Sequence, residues 1–435
     1  MLQLGVSHRG DIVALAAAYD SSLSLKDATP RELQKGLTHL LRQGRFIGRE
    51  VVVGVPNELV RFKSIRIPPM EERDLISAAE FEAKALFDAT PENSIIGHVS
   101  LGQVRQAGEA RQEVLIAAAE RSGVDQLIES LHAAQVVPVS VDFRPCMLYR
   151  TIERFVRRKD DEAEVHVLID VSTDCVNVLI GRGRDLCFFR PLASGMRVLD
   201  EAVARTLGIE EADARLLCAR LSAASSGIDD NVSTTDDVRM AVFDATRGLV
   251  DELAREISLC LRYATVTFRG LRPFKARLTG IGADHFVIKE VLGRSLPIPV
   301  EQCSPILNAD LSLLRPADRT GNLSVWTSAM GLALRFVPGG LADKLGLSRT
   351  LRSEAPASEI AVPAELEPHS QANATQTQLP SRTPSSTQTP TPSLGVNASS
   401  NSSLNSASNS SLSPDSLSPH PSSRTASKPA EVLIA

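Results

Sequence analysis

The sequence predicts an α/β protein with mixed sheets in two lobes, followed by a segment that has no core of its own. Segments patterned as strands alternate with amphipathic helices up to about residue 350. The 435 residues exceed the range of one ordinary core, so at least two lobes are expected. Beyond about Ser353 the chain is rich in Ser, Thr, Pro, Asn, Ala and Gln, and such a segment buries too little apolar surface to offset the entropy of ordering its backbone.

Composition narrows the class of protein. The net charge of −5, with 23% charged residues of both signs, gives no broad basic field, so nucleic acid is not expected as a partner. The six cysteines are scattered outside the close pairs of zinc sites and redox motifs, which predicts buried apolar side chains. The first residues lack a basic leader, and no stretch approaches the roughly 18 to 20 apolar residues of a membrane span. We therefore expect a cytoplasmic protein without direct membrane insertion.

The first half of the chain has the pattern of alternating strands and helices. Residues 49–56 indicate a buried strand stopped by Pro56, and residues 59–69 alternate as a half-exposed strand does. Prolines and acidic residues then open a helix, and residues 113–143 have the pattern of strand, helix and strand. The core-facing sides of these two helices are predicted to comprise Leu75, Ala79, Ala83 and Leu86 in the first, and Leu127, Ile128, Leu131 and Ala134 in the second.

The second half repeats the alternation. A strand at 163–171 carries Asp170, a helix follows Gly195, another helix covers 249–265, and residues 275–301 have the pattern of strand, glycine turn, helix and strand. The buried faces are predicted to comprise Val198, Leu199, Ala202, Val203 and Leu207 in the first helix, and Leu249, Leu253, Ile257, Cys260 and Leu261 in the second.

Two strand–turn–strand segments, about 165 residues apart, suggest two similar halves that face each other across a cleft. In the actin-like ATPase superfamily two such hairpins hold phosphate, and an Asp at the end of the first strand of each holds the metal. The first segment, "LGVSHRGD", has Gly5 at the usual Asp position and Ser7 at the usual glycine. The second, "LIDVSTDCVNVLI", keeps Asp170 and supplies Ser172 and Thr173. The sequence thus predicts a nucleotide cleft with half of its metal-holding chemistry.

Each of these signals also has a simpler interpretation. Asp170 is the candidate metal ligand, but Asp is common as a turn former or cap. The helix after Gly195 either presents free N–H groups to an anion or is an ordinary capped helix. Gly280 and Gly282 fit a backbone that lies against adenine or ribose, whereas a lone Gly-X-Gly is often only a tight turn. The eight histidines show no metal-ligand spacing.

The order of these segments resembles the PilM family, cytoplasmic actin-like proteins of type IV pilus assembly, to which the cytoplasmic part of the type II secretion protein GspL is related. The matching stretches lie between about residues 1 and 337: "VVVGVPNELVRFKSIRIPPMEERDLISAAEFEAKALF", "VPVSVDFRPCMLYR", "LIDVSTDCVNVLI", "SGMRVLDEAVARTLGI", "LTGIGADHFVIKEVLG" and "WTSAMGLALRF". In the last of these, the small residues Ala329, Gly331 and Ala333 permit close helix packing.

The resemblance implies a two-lobed actin-like (ribonuclease H-like) fold, ATP and Mg²⁺ between the lobes, and a groove for a short cytoplasmic peptide of the inner-membrane protein PilN. It implies an N-terminal lobe at 1–150 with an inserted α/β subdomain at about 57–137, a second lobe at 151–350, and a disordered tail at 351–435. By position it assigns the cleft to Ser7, Asp170, Ser172, Thr173, Gly195, Gly280, Gly282 and Ala283, with Asp170 as the metal ligand and no catalytic residue.

The expected function is that of an adaptor with a degenerate ATP site. The first hairpin lacks its Asp and both hairpins lack their glycine, so we expect weak or absent binding of ATP and Mg²⁺ and no efficient hydrolysis. The chain would sit at the inner membrane through partners, coupling membrane subunits of a pilus or secretion platform to cytoplasmic machinery, with an assembly ATPase as a further candidate partner.

Two alternatives to this adaptor remain. One is an active ATPase or sugar kinase on the same fold, which needs an intact phosphate cradle and, for a kinase, a carboxylate base. The other is a cell-division actin relative with a membrane-binding C-terminal helix. It is disfavoured because the tail is rich in Ser and Pro and its only apolar run is the short "EVLIA". That run itself is either a short docking motif or a loose chain end.

Overall fold

The computed structural model describes residues 1–7, 9, 11–20, 28–156, 158–225, 236–268, 272–337 and 432–434. The predicted disordered tail therefore lies largely outside the described residues. Within it, the segment 432–434 is described as a β-strand.

The first lobe begins with a β-hairpin and a helix. Strands β1 (Leu2–Val6) and β2 (Ile12–Ala17) are followed by helix α1 (Pro30–Gly44) and strand β3 (Glu50–Gly54). Helix α1 begins with a capping box, in which Thr29 Oγ1 accepts from the Glu32 N–H while the Glu32 carboxylate accepts from the Thr29 N–H. Buried leucines at Leu33, Leu37 and Leu40 then hold α1 against the sheet.

A subdomain with its own sheet follows β3. It consists of β4 (Val60–Ile67), α2 (Glu72–Phe87), β5 (Ser94–Gln106) and β6 (Glu109–Glu120), in the sheet order β4-β6-β5 with antiparallel pairing. Helix α2 buries Leu75, Ala79 and Ala83 as expected, whereas Leu86 remains 38% exposed. The inserted subdomain was expected at about 57–137. Its sheet and helix α2 lie within residues 60–120.

The chain then returns to the first lobe through α3 (Arg121–Ala133), β7 (Val137–Asp142) and α4 (Arg144–Glu153). Helix α3 lies outside the inserted sheet, because its Leu127 and Leu131 pack in one cluster with Leu37 of α1. Ala134 is buried there too, and Ile128 is only partly buried and packs in a neighbouring cluster.

The second lobe comprises β8 (Val165–Val171), β9 (Val176–Arg182), β10 (Asp185–Leu192), α5 (Met196–Leu207), α6 (Glu211–Ser225), α7 (Asp236–Thr267), β11 (Ala276–Gly280), α8 (Phe286–Ser295) and β12 (Val300–Gln302). Helix α7 buries the predicted Leu253, Ile257, Cys260 and Leu261 and begins at Asp236, well before the expected start at 249. Helix α5 buries Leu199, Ala202 and Val203, whereas Val198 and Leu207 are half-buried.

Helix α9 (Thr327–Ala333) and strand β13 (Val432–Ile434) complete the first lobe. The close packing predicted for the small residues is confirmed at Gly331, where a Cβ would stand 1.7 Å from the Met147 carbonyl oxygen of α4. No helix in the described parts of the chain is both long enough and apolar enough to cross a membrane.

The sheets of the two lobes have the same topology. The second lobe has the order β10-β9-β8-β11-β12, in which the first two pairs are antiparallel and the last two are parallel. The first lobe has the order β2-β1-β13-β3-β7 with the same sequence of orientations. Strand β1 therefore corresponds to β9, and the counterpart of β8 is β13.

All six cysteines are free thiols. Cys218 and Cys260 are buried as expected, and the other four are half-buried. Desolvation is the largest cause that raises the pKa of each thiol, to about 12 for Cys146 and Cys218 and to about 11 for Cys187 and Cys260. The pKa values of Cys175 and Cys303 are raised for the same reason.

Candidate functional site: a nucleotide cleft and a neighbouring groove

Asp170 lies at the end of β8 and is 1% exposed. One of its oxygens, Oδ2, accepts hydrogen bonds from Ser172 Oγ at 2.9 Å and from Asn177 Nδ2 at 3.0 Å. On its other side lies Gly280, where a Cβ would stand only 2.7 Å from Asp170 Oδ1 and where the φ of +89° favours glycine. Two neutral hydrogen-bond donors and the backbone of Gly280 therefore surround this carboxylate. Hydrogen bonds of this kind are needed because a buried polar group without them is costly.

The turn after β8 closes against the start of α5. The Ser172 N–H donates to the Cys175 carbonyl at 2.9 Å, and the first two N–H groups of α5, at Met196 and Arg197, donate to the carbonyls of Ser172 and Thr173 at 3.0 and 2.9 Å. These two N–H groups are thus not free for an anion, which favours, of the two interpretations, an ordinary helix capped by the hairpin itself.

Gly195 makes this contact possible. A Cβ there would lie 2.3 Å from the Thr173 carbonyl oxygen and 2.5 Å from the Cys175 nitrogen. An ion pair between Arg197 Nε and Asp174 Oδ1, at 2.7 Å, adds a side-chain link between helix and turn.

The loop after β11 lies against the same turn. Gly282 donates its N–H to the Val171 carbonyl at 3.1 Å, and the neighbouring Ala283 is buried. Asn322 Nδ2 holds the loop from the other side, because it donates to the Gly280 and Ile281 carbonyls at 3.3 and 3.1 Å. The same nitrogen lies 3.0 Å from an oxygen of Asp284, the carboxyl whose pKa burial raises.

The structure thus brings together, in the second lobe, Asp170, Ser172, Thr173, Gly195, Gly280, Gly282 and Ala283.

Ser7 lies elsewhere, in the turn between β1 and β2, where its hydroxyl accepts from the Arg9 and Asp11 N–H groups at 3.2 and 3.1 Å. By strand order this turn corresponds to the β9–β10 turn, not to the β8–β9 turn that carries Ser172. The assignment of Ser7 and Gly5 to a phosphate-binding hairpin stays a prediction that this strand order does not support, because a strand–turn–strand pattern does not tell the two hairpins of a lobe apart.

The first-lobe counterpart of Asp170 carries no carboxylate. In the second lobe Asp170 pairs with Thr279, one residue before the last residue of β11. In the first lobe the residue paired with Val53, one before the last residue of β3, is Ile434. Mg²⁺ prefers several oxygen ligands, and no group of three or more His, Cys, Asp or Glu that could hold a metal ion occurs in the part of the chain that the structure describes.

A polar chain joins the lobes at the cleft. Asn57, just after β3, donates through Nδ2 to Asn177 Oδ1 at 2.8 Å and to Cys175 Sγ at 3.0 Å. Since Asn177 in turn donates to Asp170, a first-lobe side chain is connected to the buried carboxylate through one intermediate residue.

A separate groove of about 880 Å³ opens at the other end of β9, beside the β9–β10 turn. Residues 98–105 of β5 form one wall, and α4, the β9–β10 turn and the end of α7 form the others. Among the described strands β5 is hydrogen-bonded to β6 alone, and residues 98–105 of this edge strand line the groove. A bulge at Leu101 and Gly102, where φ is +109°, bends this edge strand.

The groove has an excess of basic groups. Five arginines and three acidic residues line the groove. The acidic residues are Glu72, Glu153 and Asp185, and the arginines are Arg66, Arg105, Arg150, Arg182 and Arg184. Arg150 is buried and donates to Asp142 Oδ2 at 2.8 Å and to the Gly331 carbonyl at 2.7 Å. Burial raises the pKa of Glu153.

The side chains of Arg105 and Arg182 are exposed and have no ion pair or hydrogen bond with the described residues. Sequence reasoning did not identify these groove residues, since they come from separate segments and no local motif marks them.

The matching sheets of the two lobes define a protein of the actin-like fold class, as predicted. The family model for the type IV pilus assembly protein PilM matches residues 23–337, well over half of the chain. The chain therefore belongs to the PilM family.

Several solved structures are similar to the chain. A PilM-PilN type IV pilus biogenesis complex is similar at a TM-score of 0.62 and 21% identity, covering 77% of this chain and 94% of that one. MreB5 of Spiroplasma citri bound to ADP matches at a TM-score of 0.37 and 10% identity, covering 76% and 80%. EutJ from Carboxydothermus hydrogenoformans matches at 0.33 and 11%, covering 49% and 60%. None of the curated proteins compared with the chain is significantly similar to it in sequence.

Proposed function

We propose that this chain is a cytoplasmic adaptor of a type IV pilus or type II secretion platform that binds a short cytoplasmic peptide of a PilN-like inner-membrane protein. The observation that carries the proposal is membership of the PilM family over residues 23–337, together with the similarity to a PilM-PilN complex. The adaptor would be peripheral at the inner membrane through that partner, and a cytoplasmic assembly ATPase is a further candidate partner.

The groove lined by β5, α4 and the β9–β10 turn is the proposed peptide site. An extended peptide can add to the free edge of β5, where backbone hydrogen bonds supply affinity and side-chain pockets supply specificity. Arg105 and Arg182 stand exposed along this path, which favours a peptide that carries acidic groups. The volume of about 880 Å³ suits a few residues of extended chain.

The cleft is proposed to be degenerate as an ATPase site. Support comes from Ile434 at the register position that matches Asp170, and from the N–H groups of Met196 and Arg197, which already donate to the hairpin. With a single carboxylate on one side, the cleft offers little to organise a Mg²⁺–triphosphate. Residual nucleotide binding through the Gly280–Gly282 loop remains part of this proposal.

Peptide binding tests the adaptor. A synthetic peptide of the cytoplasmic N-terminal segment of a PilN-like protein would be titrated against the full chain by calorimetry. Arg105→Glu and Arg182→Glu, combined, should weaken binding at least tenfold and reduce its salt dependence. Arg220→Glu on α6 is the matched control, since this exposed arginine lies outside the groove. Equal affinity in all three proteins, or no binding to the unaltered chain, would contradict the proposed site.

A second experiment tests the degenerate cleft. Steady-state phosphate release with ATP and Mg²⁺ would be compared between the unaltered chain and Asp170→Ala. We expect both to release phosphate at the same background rate. Turnover by the unaltered chain that the Asp170→Ala change abolishes would instead establish the active ATPase, and transfer to an added sugar would establish the kinase.

A further inference from the structure

A second groove, of about 840 Å³, is lined by residues of the inserted subdomain and of the second lobe. Its walls come from two edge strands, β4 and β10, and from residues 259–266 of α7. Each of these strands is hydrogen-bonded to one neighbour among the described strands, β4 to β6 and β10 to β9. We call this groove the α7 groove. It is distinct from the proposed peptide site, although Val266 borders both.

Helix α7 carries an exposed apolar stripe in this groove. Leu259, Tyr263 and Val266 follow one another at intervals of four and three residues, so they share one side of the helix. They are 48%, 43% and 74% exposed, respectively. The core-facing side of the helix is formed by other residues, among them Leu253 and Ile257. A second apolar stripe that stays exposed is typical of a surface that contacts a partner.

The opposite side of the α7 groove is also apolar and is held in place by ring contacts. Phe62 of β4 packs edge-on against Phe189 of β10, with ring centroids 5.0 Å apart. Phe188 lies against the Tyr263 ring at 5.7 Å, and Leu115 of β6 is 1% exposed. Side chains that are already fixed lose little conformational freedom when they are covered, so this surface is prepared for an occupant.

The Tyr263 hydroxyl is hydrogen-bonded to residues that do not line the α7 groove. It accepts from Arg66 Nη2 at 3.0 Å and donates to Glu113 Oε1 at 3.3 Å. Arg66 Nε and Glu113 Oε2 form an ion pair at 2.7 Å. Because the hydroxyl already has partners, an occupant of the groove meets the apolar ring of Tyr263 and leaves no polar group unsatisfied there.

The charged residues that line the α7 groove are all basic. Lys63 of β4, Arg190 of β10 and Arg262 of α7 line it, and no Asp or Glu is among its described lining residues. All three side chains are exposed, and none has an ion pair or hydrogen bond with the described part of the chain. The whole chain has a net charge of −5, so this local excess is opposite in sign to the average. Basic groups on three walls favour an occupant that carries several acidic groups.

We propose that the α7 groove is a second docking site, which binds an acidic segment of a partner protein that also presents large apolar side chains. The apolar side chains of the segment cover Leu259 and the Tyr263 ring, and its carboxylates pair with Lys63, Arg190 and Arg262. A concave site with edge strands in two of its walls suits a peptide segment, whereas a lipid surface is flat. The inference goes beyond the adaptor function proposed above, because it adds a partner and does not use the proposed peptide site.

Selection of peptides on the full chain tests this proposal. Short random peptides displayed on phage are selected against the immobilised protein, and the recovered peptides should be rich in Asp, Glu and large apolar residues. Their affinity in calorimetry should fall about tenfold when Arg190→Glu and Arg262→Glu are combined. Leu259→Ala, which alters an exposed side chain, should weaken binding severalfold.

The matched control is the protein with Arg105→Glu and Arg182→Glu, which has the same change of charge in the proposed peptide site. It should bind the recovered peptides as tightly as the unaltered chain does. Conversely, the PilN-like peptide should bind the Arg190→Glu, Arg262→Glu protein with unchanged affinity. The two sites are therefore tested separately, and either proposal can fail without the other.

Four results would overturn the proposal. The first is that no recovered peptide binds the unaltered chain in calorimetry. The second is an equal loss of affinity in the two double variants, because net charge and not the α7 groove would then attract the peptides. The third is binding to phosphatidylglycerol vesicles that the Arg190→Glu, Arg262→Glu protein loses, because the groove would then contact lipid. The fourth is self-association in light scattering that the same variant abolishes, because a second copy of the chain would then be the occupant.

Discussion

Replacing Gly331 by alanine should separate two helices that the fold holds in direct backbone contact. The new Cβ would stand 1.7 Å from the Met147 carbonyl oxygen and 2.5 Å from the carbon of that carbonyl. An ordinary carbon–oxygen contact is about twice as long, so α9 must move away from α4 by more than an ångström. Because α9 also packs on the first-lobe sheet, that movement disturbs the core around Met330 and Leu332.

Several effects determine how much the Gly331→Ala change lowers the free energy of unfolding. Overpacking of a well-packed core costs about 1–3 kcal/mol, and occasionally more. The displaced helix also weakens the bond from Arg150 to the Gly331 carbonyl, and a hydrogen bond to a charged group contributes about 1.5–3 kcal/mol. Alanine offsets about 1 kcal/mol through its higher helix propensity. We expect a net decrease of about 3 kcal/mol in the free energy of unfolding.

Urea unfolding of the full chain, followed by circular dichroism, measures this change. The matched control is Gly293→Ala in α8, where a Cβ meets nothing within 4 Å and the same substitution should raise stability by up to about 1 kcal/mol. If Gly331→Ala unfolds at the same urea concentration as the unaltered chain, or behaves as the control does, the reasoning about α4–α9 contact is wrong.

Three further predictions follow from the cleft and the core. Gly195→Ala should destabilise the chain by about 1–3 kcal/mol in urea, since its Cβ would meet the Thr173 carbonyl at 2.3 Å, whereas Gly248→Ala, with open space, should not. Asn57→Ala removes the hydrogen bonds to Asn177 and Cys175 and should speed hydrogen exchange in residues 173–177. The control is Glu58→Ala at the exposed neighbouring residue, which should leave that exchange unchanged. Burial lowers the pKa of His285 to about 4, so the unfolded chain binds this proton more tightly and stability should fall by about 3 kcal/mol as the pH falls from 6.5 towards 4. His285→Leu should flatten that part of the pH profile, and an unchanged profile would count against the assignment.

Local sequence patterns were sufficient for the elements whose signals are short-range. Helix α2, which has one buried face, and the strand, glycine turn and helix at 276–295 lie where periodicity and turn residues indicate. The small residues at 329–333 likewise predicted close packing, since a residue without a side chain permits helices to touch. The predicted start of α7 was late because its first turns carry no single apolar stripe.

The arrangement of strands could not be obtained in this way. Strand β1 has the alternation of a strand but nothing that says whether it matches β8 or β9, and pairing with β13 decides it. The same limitation applies to the groove, whose arginines come from β4, β5, α4 and the β9–β10 turn. Long-range pairing is fixed by which buried backbone groups find partners, and this is a property of the whole sheet.

The six thiols described above have a practical consequence for work on this protein. Thiolate is the reactive form, and an elevated pKa leaves very little of it at neutral pH, so maleimide reagents and mild oxidants should spare the native cysteines. A single cysteine introduced at an exposed position would then be the preferred target. The natural chain can accordingly serve, without removal of any cysteine, as the background for placing one fluorophore or spin label at a chosen site.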